Sequence, residues 1–596
     1  MKNYLIALTI LATNAFAQKD YSPETLSKIK EVESNITSNI IINDEKPNTI
    51  DERMAKYNIK GISIAVVHNY KIEWAKGYGW ANVEEKKPVT PNTLFEPGSI
   101  SKTLNAVGIL KLAQDKKLDL NTDINSYLTS WKFPYDSISK GKKITLTHLL
   151  THHAGLSVHG FPGHDINGPI PTIYEVLDGK QPSFTPAVRS EFEPNLKYQY
   201  SGGGTSISQV LLTDITKQAY DVWMDQNVLK PIGMVNSTYA QPPSKEKQLI
   251  CASAYNRDGT PVSNKFHVYP EQAAAGLWMT PSDLANYVID MQLAYKGQAS
   301  KVLNPEMVKL HLTPYNNSEA AMGTFIQDIN GAKYFEHSAG NDGFCGEFIG
   351  SLEDGNGVVI FLNTDNFKII PEIVNSVAKT YQWKNYYREP KKKSTIIVSD
   401  DIIKSYEGVY LFDDQFAVIG KSNNEYHFFA SGTKAKMHFT SNTSFFNEEF
   451  AAVKEFIFDE KGQVIGYKRN VNGKEFPNAV KVINLDSVKT TAFILGNVAW
   501  YYFEEKKFKE ALPYFNKAAL LDASDLNNFL NLGHAYLFNN DVKNAVETYK
   551  KYIKENIKPG LSFEQLLKQD YTYFKDHQYN VQAFDQVFKE LNVSKP

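Results

Sequence analysis

Apolar and polar positions change rhythm several times along the chain, and each change marks a boundary between elements. Two short apolar runs, Ile62-Ser63-Ile64-Ala65-Val66-Val67 and Lys71-Ile72-Glu73-Trp74-Ala75, flank His68-Asn69-Tyr70 and predict a β-hairpin. A second hairpin is predicted where Glu347-Phe348-Ile349 and Val358-Val359-Ile360-Phe361-Leu362 flank Asp354-Gly355-Asn356-Gly357. Helical periodicity fills the interval. Strands at both ends with helices between them predict an α+β domain over residues 49–387, its antiparallel sheet closed by the domain's two ends. Residues 18–48, ahead of it, form a polar leader with little periodicity.

After this domain, Lys391-Lys392-Lys393 reads as a linker or an exposed loop. Residues 396–485 carry short aromatic strands such as Tyr426-His427-Phe428-Phe429 and Glu455-Phe456-Ile457-Phe458, which predict a small antiparallel barrel or sandwich. Residues 488–596 are helical, and they repeat. A shift of 34 residues pairs Val498 with Leu532, Ala499 with Gly533, Tyr502 with Tyr536, Ala511 with Ala545 and Phe515 with Tyr549. That period resembles the tetratricopeptide repeat, in which small residues let paired helices approach closely. Two repeats are clear, and Phe563 to Leu591 reads as a third unit or a cap. Such an array takes a peptide or protein partner on its concave face, or serves as a docking module with no outside partner.

Composition narrows the choice of function. The length of 596 residues suits three or four domains. The chain's 64 basic and 66 acidic residues are intermixed, giving a formal charge of −2. The basic stripe of a nucleic-acid-binding protein and a polybasic membrane patch are therefore both missing. Lys2, the apolar stretch Tyr4 to Leu11 and Ala15-Phe16-Ala17 before Gln18 read as a signal peptide over residues 1–17. Cleavage near Ala17 implies a periplasmic or secreted protein. The stretch is too short to span a bilayer, and no other segment is long and apolar enough to do so. No Cys follows the cleavage site, which argues against a bacterial lipid anchor. The two cysteines, Cys251 and Cys345, suit either a disulfide or two buried thiols, and are too few for a Cys-rich zinc site.

One short segment carries chemistry. Phe95-Glu96-Pro97-Gly98 breaks the chain just ahead of Ser99-Ile100-Ser101-Lys102-Thr103, and an apolar helical run follows. Ser99 is therefore expected in the first turn of a helix, with Lys102 one turn further along the same face. A serine hydroxyl is a weak nucleophile until a neighbouring base takes its proton, and a desolvated lysine can be that base. The helix N-terminus adds N–H groups and positive dipole for developing negative charge. By itself the spacing is common on solvated helices; its company makes it informative.

Phe95 to Lys102 resembles the first motif of the class C β-lactamases and the related DD-peptidases, esterases and D-aminopeptidases. Ile144 to Leu156, with Leu149-Leu150-Thr151-His152-His153-Ala154-Gly155-Leu156 at its end, is similar to a family segment beside the active site. Tyr198-Gln199-Tyr200-Ser201-Gly202-Gly203-Gly204 resembles the Tyr-Ser-Asn motif, and Gly276 to Leu284 another recurring stretch. His337-Ser338-Ala339-Gly340-Asn341-Asp342-Gly343-Phe344 is similar to the third motif, with His in place of the usual Lys. The resemblance spans residues 49–387 and implies a β-lactamase/transpeptidase-like fold, an antiparallel sheet with flanking helices and a helical subdomain. It implies Ser99 as nucleophile, Lys102 as its activating partner, and Tyr200 as a proton shuttle acting as phenolate or by hydrogen bond. It further implies His337 as a donor or charge bordering the site, and the N–H groups of Ser99 and Gly340 as the oxyanion hole, with Ser338, Ala339 and Gly202 at the substrate-binding positions. Two residues depart from the pattern. Gly202 stands where the family has the Asn that binds the substrate's acyl side chain. Ala339 replaces a glycine, and its methyl is expected to crowd a docked substrate. Both loosen the link to β-lactam hydrolysis.

Two other patterns compete with this one. Glu336-His337-Ser338-Ala339-Gly340 imitates a nucleophile elbow at Ser338, but its first position is not glycine and the residues after it alternate like a strand. His148, His152, His153, His159 and His164 cluster, and the first two have the i, i+4 spacing of metal ligands. The Glu of a zinc-protease helix is missing between them, so a structural or rim role is expected, with no metal and no cofactor. The expected activity is acyl transfer through Ser99 on a small peptide, ester or β-lactam. A peptidase for D-amino-acid peptides or an esterase ranks first and a β-lactamase behind. The rival from another class is a weakly catalytic binding protein that works through its repeats.

Overall fold

In the computed structural model the first predicted hairpin forms as strands β1 (Gly61–His68) and β2 (Lys71–Asn82). Asn69 and Tyr70 both take positive φ, as a two-residue turn matching the strand twist requires. The second hairpin forms as β6 (Phe344–Ser351) and β7 (Gly357–Leu362), with Val358 opposite Ile349. The structure describes residues 21–596 apart from 414, 423, 431–432, 449–451, 472–473, 486–490 and 559–560. The signal-like segment therefore lies outside the described residues. Contacts divide the chain into two units, one of residues up to Thr37 and Lys46–Glu389, the other of Ser38–Glu45 and Pro390–Pro596.

In the first unit, β3 (Lys87–Pro88), β4 (Phe325–Ile329) and β5 (Ala332–Asn341) complete a seven-stranded sheet of order β3-β2-β1-β7-β6-β5-β4. β1 and β7 pair antiparallel at its centre, Ile62 against Leu362 and Val66 against Val358, so the two ends of the domain do close the sheet. Both faces are covered, which explains why β1 is buried from Gly61 to Val67 and mostly apolar. Ile62, Ile64 and Val66 pack with helices α1 (Pro23–Ser34) and α5 (Ile369–Thr380). Ala65 and Val67 share the larger core with α2 (Ile100–Lys116), α3 (Gly202–Thr216) and α4 (Pro281–Tyr295). α2 is buried around most of its girth, as suits a helix at the centre of a layer. β4 pairs only with Ala332–Glu336 of β5. Among the described residues, no strand covers His337–Asn341 on that side, and this open edge faces the site.

The polar leader is more ordered than its composition suggests. α1 is capped by Ser22, whose Oγ accepts from Thr25 N at 3.1 Å, and it buries only Ile29 and Val32. An apolar stripe this narrow leaves little periodicity to read.

The second unit contains a closed barrel of eight antiparallel strands, from β8 (Gly408–Phe412) to β15 (Lys474–Lys481), in sequential order. Phe428, Phe445, Phe456 and Tyr467 fill it, and Tyr406 stacks on Phe456 at 3.9 Å between ring centroids. Lys391–Lys393 is not a loop: it pairs in parallel with Ile40–Ile42. Backbone pairing of this kind needs no apolar side chains, so lysines conceal it. Four helices follow, α6 (Ala492–Glu504), α7 (Phe508–Leu521), α8 (Leu526–Phe538) and α9 (Val542–Tyr552), the second pair starting 34 residues after the first. A Cβ on Gly533 would lie 2.2 Å from the Tyr549 ring, which is the close approach that the small residue permits. Helix α10 (Phe563–Asp576) closes the stack through His534, which Asp570 meets at 2.9 Å and the Tyr549 hydroxyl at 2.8 Å.

Candidate active site

The turn ahead of Ser99 passes so close to β5 that only glycine fits. Gly98 has φ +69°, and a Cβ there would lie 2.6 Å from both the Gly340 carbonyl oxygen and Asn341 Oδ1. Ser101 fixes the same turn by donating to the Gly98 carbonyl at 2.6 Å and accepting from Leu277 N at 3.0 Å. Ser99 thus sits half-buried at the N-terminus of α2, beside the backbone of Gly340.

One turn further on, Lys102 is 3 % exposed. Its Nζ lies 2.8 Å from Ser99 Oγ and donates to the Ala274 carbonyl at 2.7 Å. Desolvation pulls its pKa down from 10.5 to about 7, because a buried ammonium loses its water. The Tyr200 ring centroid is 5.0 Å from Nζ. Burial raises the Tyr200 phenol pKa, and hydrogen bonding with Ser99 only partly offsets this, so the neutral phenol is the resting form rather than the phenolate.

His337 differs from its expected role. Nδ1 lies 2.7 Å from the Ser338 carbonyl, which can only accept, so Nδ1 carries the proton and Nε2 is left as an acceptor. Nε2 is buried with no hydrogen-bond partner among the described residues. Burial, with Lys102 nearby, lowers its pKa to about 3, so the ring is neutral and supplies neither charge nor an N–H to the site. Ser338 and Gly340 are exposed, on the opposite strand face from His337 and Ala339. Ser338 lies within β5 and not at a strand-to-helix turn, which removes the elbow reading. The Ala339 methyl is buried in the core instead of projecting toward the open edge.

His152 belongs to the site in a way its sequence spacing did not suggest. Its ring centroid lies 4.3 Å from that of Tyr200, at 33°. Nδ1 accepts from Ser201 N at 3.2 Å and the His152 carbonyl accepts from Gln199 N at 2.8 Å, so one residue holds Tyr200 from both sides. The backbone is left-handed here, φ 59°, which marks a position fixed by its surroundings. Accepting at Nδ1 requires a neutral ring, and burial beside Lys102 and His337 keeps it so. His153 turns away to the Thr151 carbonyl at 2.8 Å. Among the described residues, no three His, Cys, Asp or Glu side chains gather as a metal cage. Cys251 and Cys345 are separate buried thiols.

A helix-borne serine with a buried lysine one turn on, set against an open sheet edge, defines a serine hydrolase of the β-lactamase and penicillin-binding type. The beta-lactamase family model matches residues 47–369, and the chain belongs to that family. The tetratricopeptide repeat model matches residues 494–525 and 526–556. Protein flp of Staphylococcus aureus (strain N315) is 25% identical over 334 residues, which are 54% of this chain and 64% of that protein. A beta-lactamase of Pseudomonas fluorescens is 30% identical over 243 residues, 40% of this chain and 62% of that protein. The chain thus spans less than two thirds of the length of these curated relatives. The octameric penicillin-binding protein homologue from Pyrococcus abyssi shares the fold, with a TM-score of 0.50 and 21% identity over 72% of this chain and 98% of that one.

Proposed function

We propose that the protein is an exported serine hydrolase that works through an acyl-enzyme on Ser99, cleaving small D-amino-acid peptides or simple esters. One observation carries this reading: Lys102 Nζ lies 2.8 Å from Ser99 Oγ, and burial lowers the Lys102 pKa to about 7. Neutral Lys102 takes the Ser99 proton as Oγ attacks the substrate carbonyl. The Tyr200 hydroxyl then relays a proton to the departing amine or alcohol, and is replenished from Lys102. Water attacks the acyl-enzyme by the same route in reverse, releasing the acid and restoring Ser99. The backbone of Gly340, beside the Gly98–Ser99 turn, is where the oxyanion would be held. Export rests on the Lys2 to Ala17 segment. Turnover of p-nitrophenyl esters and D-amino-acid anilides by wild type and Ser99→Ala tests the proposal. Activity in the wild type that falls at least about 1,000-fold in the variant supports it; no turnover by the wild type, or equal turnover by both, refutes it.

A further inference from the structure

At Gly202 the structure places something in the room an amide side chain would take. A Cβ there would lie 2.8 Å from Phe161 Cε2, and its next neighbours are the His159 carbonyl oxygen at 3.3 Å and Phe161 Cδ2 at 3.5 Å. The three nearest atoms are thus two ring carbons and an acceptor, with no hydrogen-bond donor. Phe161 is not loosely held. Its ring packs against the core, and the segment leading to it is tied to the start of α3. Ser201 Oγ donates to the Ser157 carbonyl at 2.8 Å, Gly203 N to the Val158 carbonyl at 3.0 Å, and His159 Nδ1 to the Tyr200 carbonyl at 2.5 Å. The segment that carries the phenyl ring is thus held against the turn that carries Tyr200.

We propose that Phe161 is a specificity-determining residue, selecting short apolar acyl groups over acyl groups that carry an amide. An amide carbonyl brought to this position loses its water and meets a ring edge and another oxygen. A buried acceptor without a donor is disfavoured, whereas methyl and methylene groups are stabilised against the ring. The substrate class becomes esters and amides of short aliphatic acids, and N-acylated peptides are excluded. This inference rests on acylation of Ser99.

The test compares kcat/KM for p-nitrophenyl pentanoate with that for the p-nitrophenyl ester of N-acetylglycine, an acyl chain of the same length that carries an amide. Wild type is expected to prefer the pentanoate at least about tenfold beyond the ratio of the two uncatalysed hydrolysis rates. In Phe161→Ala plus Gly202→Asn, which clears the ring and installs a donor, that preference should fall about tenfold or reverse. Gly202→Asn alone, with the ring still in place, should lose activity on both esters. A wild type with no preference overturns the inference, even if the variants fail to fold. So does an unchanged ratio in a double variant that melts cooperatively. Fluorophosphonate labelling of wild type separates the two levels. Labelling of Ser99 without the preference sinks the specificity alone, and no labelling and no turnover sinks the acyl-enzyme reading together with it.

Discussion

A lysine stripped of solvent is costly to keep, and Lys102 shows the cost in a form that can be measured. Its folded pKa of about 7 lies below the usual 10.5, so between these values the unfolded chain binds the additional proton. Stability contributed by this position therefore rises with pH across that window. Lys102→Met should abolish turnover yet raise the melting temperature. The gain should be largest below pH 7, as much as ~5 kcal/mol at about 1.4 kcal/mol per pKa unit, and vanish toward pH 10.5. In wild type, kcat/KM should climb with pH through about 7 as Lys102 loses its proton. Glu271 is also buried, with its pKa raised to about 7, so the same limb must persist in Glu271→Gln if Lys102 causes it. His152→Asn keeps a residue that tolerates the left-handed backbone but removes the ring packed against Tyr200. It should lower kcat roughly 10- to 100-fold and leave KM within about twofold, since it acts through Tyr200 and not on the substrate.

At the scale of elements, the site is a meeting of one helix start, one open strand edge and one short loop. Gly98→Ala tests that meeting. A methyl 2.6 Å from the Gly340 carbonyl must push α2 and β5 apart. Thermal denaturation should report a loss of about 1–3 kcal/mol, and turnover should fall at least about tenfold even where the variant folds. These elements were unequally legible in the sequence. The β1–β2 and β6–β7 hairpins were plain because alternation and turn residues are local signals. α1 was not, because two buried residues make too faint a stripe, and the Lys391–Lys393 strand was not, because its pairing belongs to the backbone. Within the site, Ser99, Lys102 and Tyr200 were legible through ordered motifs. The proton on His337 was not, since it depends on the carbonyl one residue away. Phe161 gave no signal at all: its importance lies in the space left by Gly202, far along the chain.

At the scale of the molecule, two families of evidence meet in one polypeptide: a β-lactamase-family domain and a unit holding a barrel and tetratricopeptide helices. Among the described residues, no helix is long and apolar enough to cross a membrane. Cys251 is 6% exposed and Cys345 fully buried, both as thiols. Maleimide should therefore add to neither in the native protein and to both after denaturation without reductant, as intact mass would record; a disulfide would give no adduct in either state. The most direct test of the central claim is mass mapping after fluorophosphonate treatment of the wild type and Ser99→Ala. A single adduct on the peptide carrying Ser99, absent from the variant, is the predicted result. An adduct on Ser338, labelling that survives in Ser99→Ala, or an unmodified wild type would contradict it.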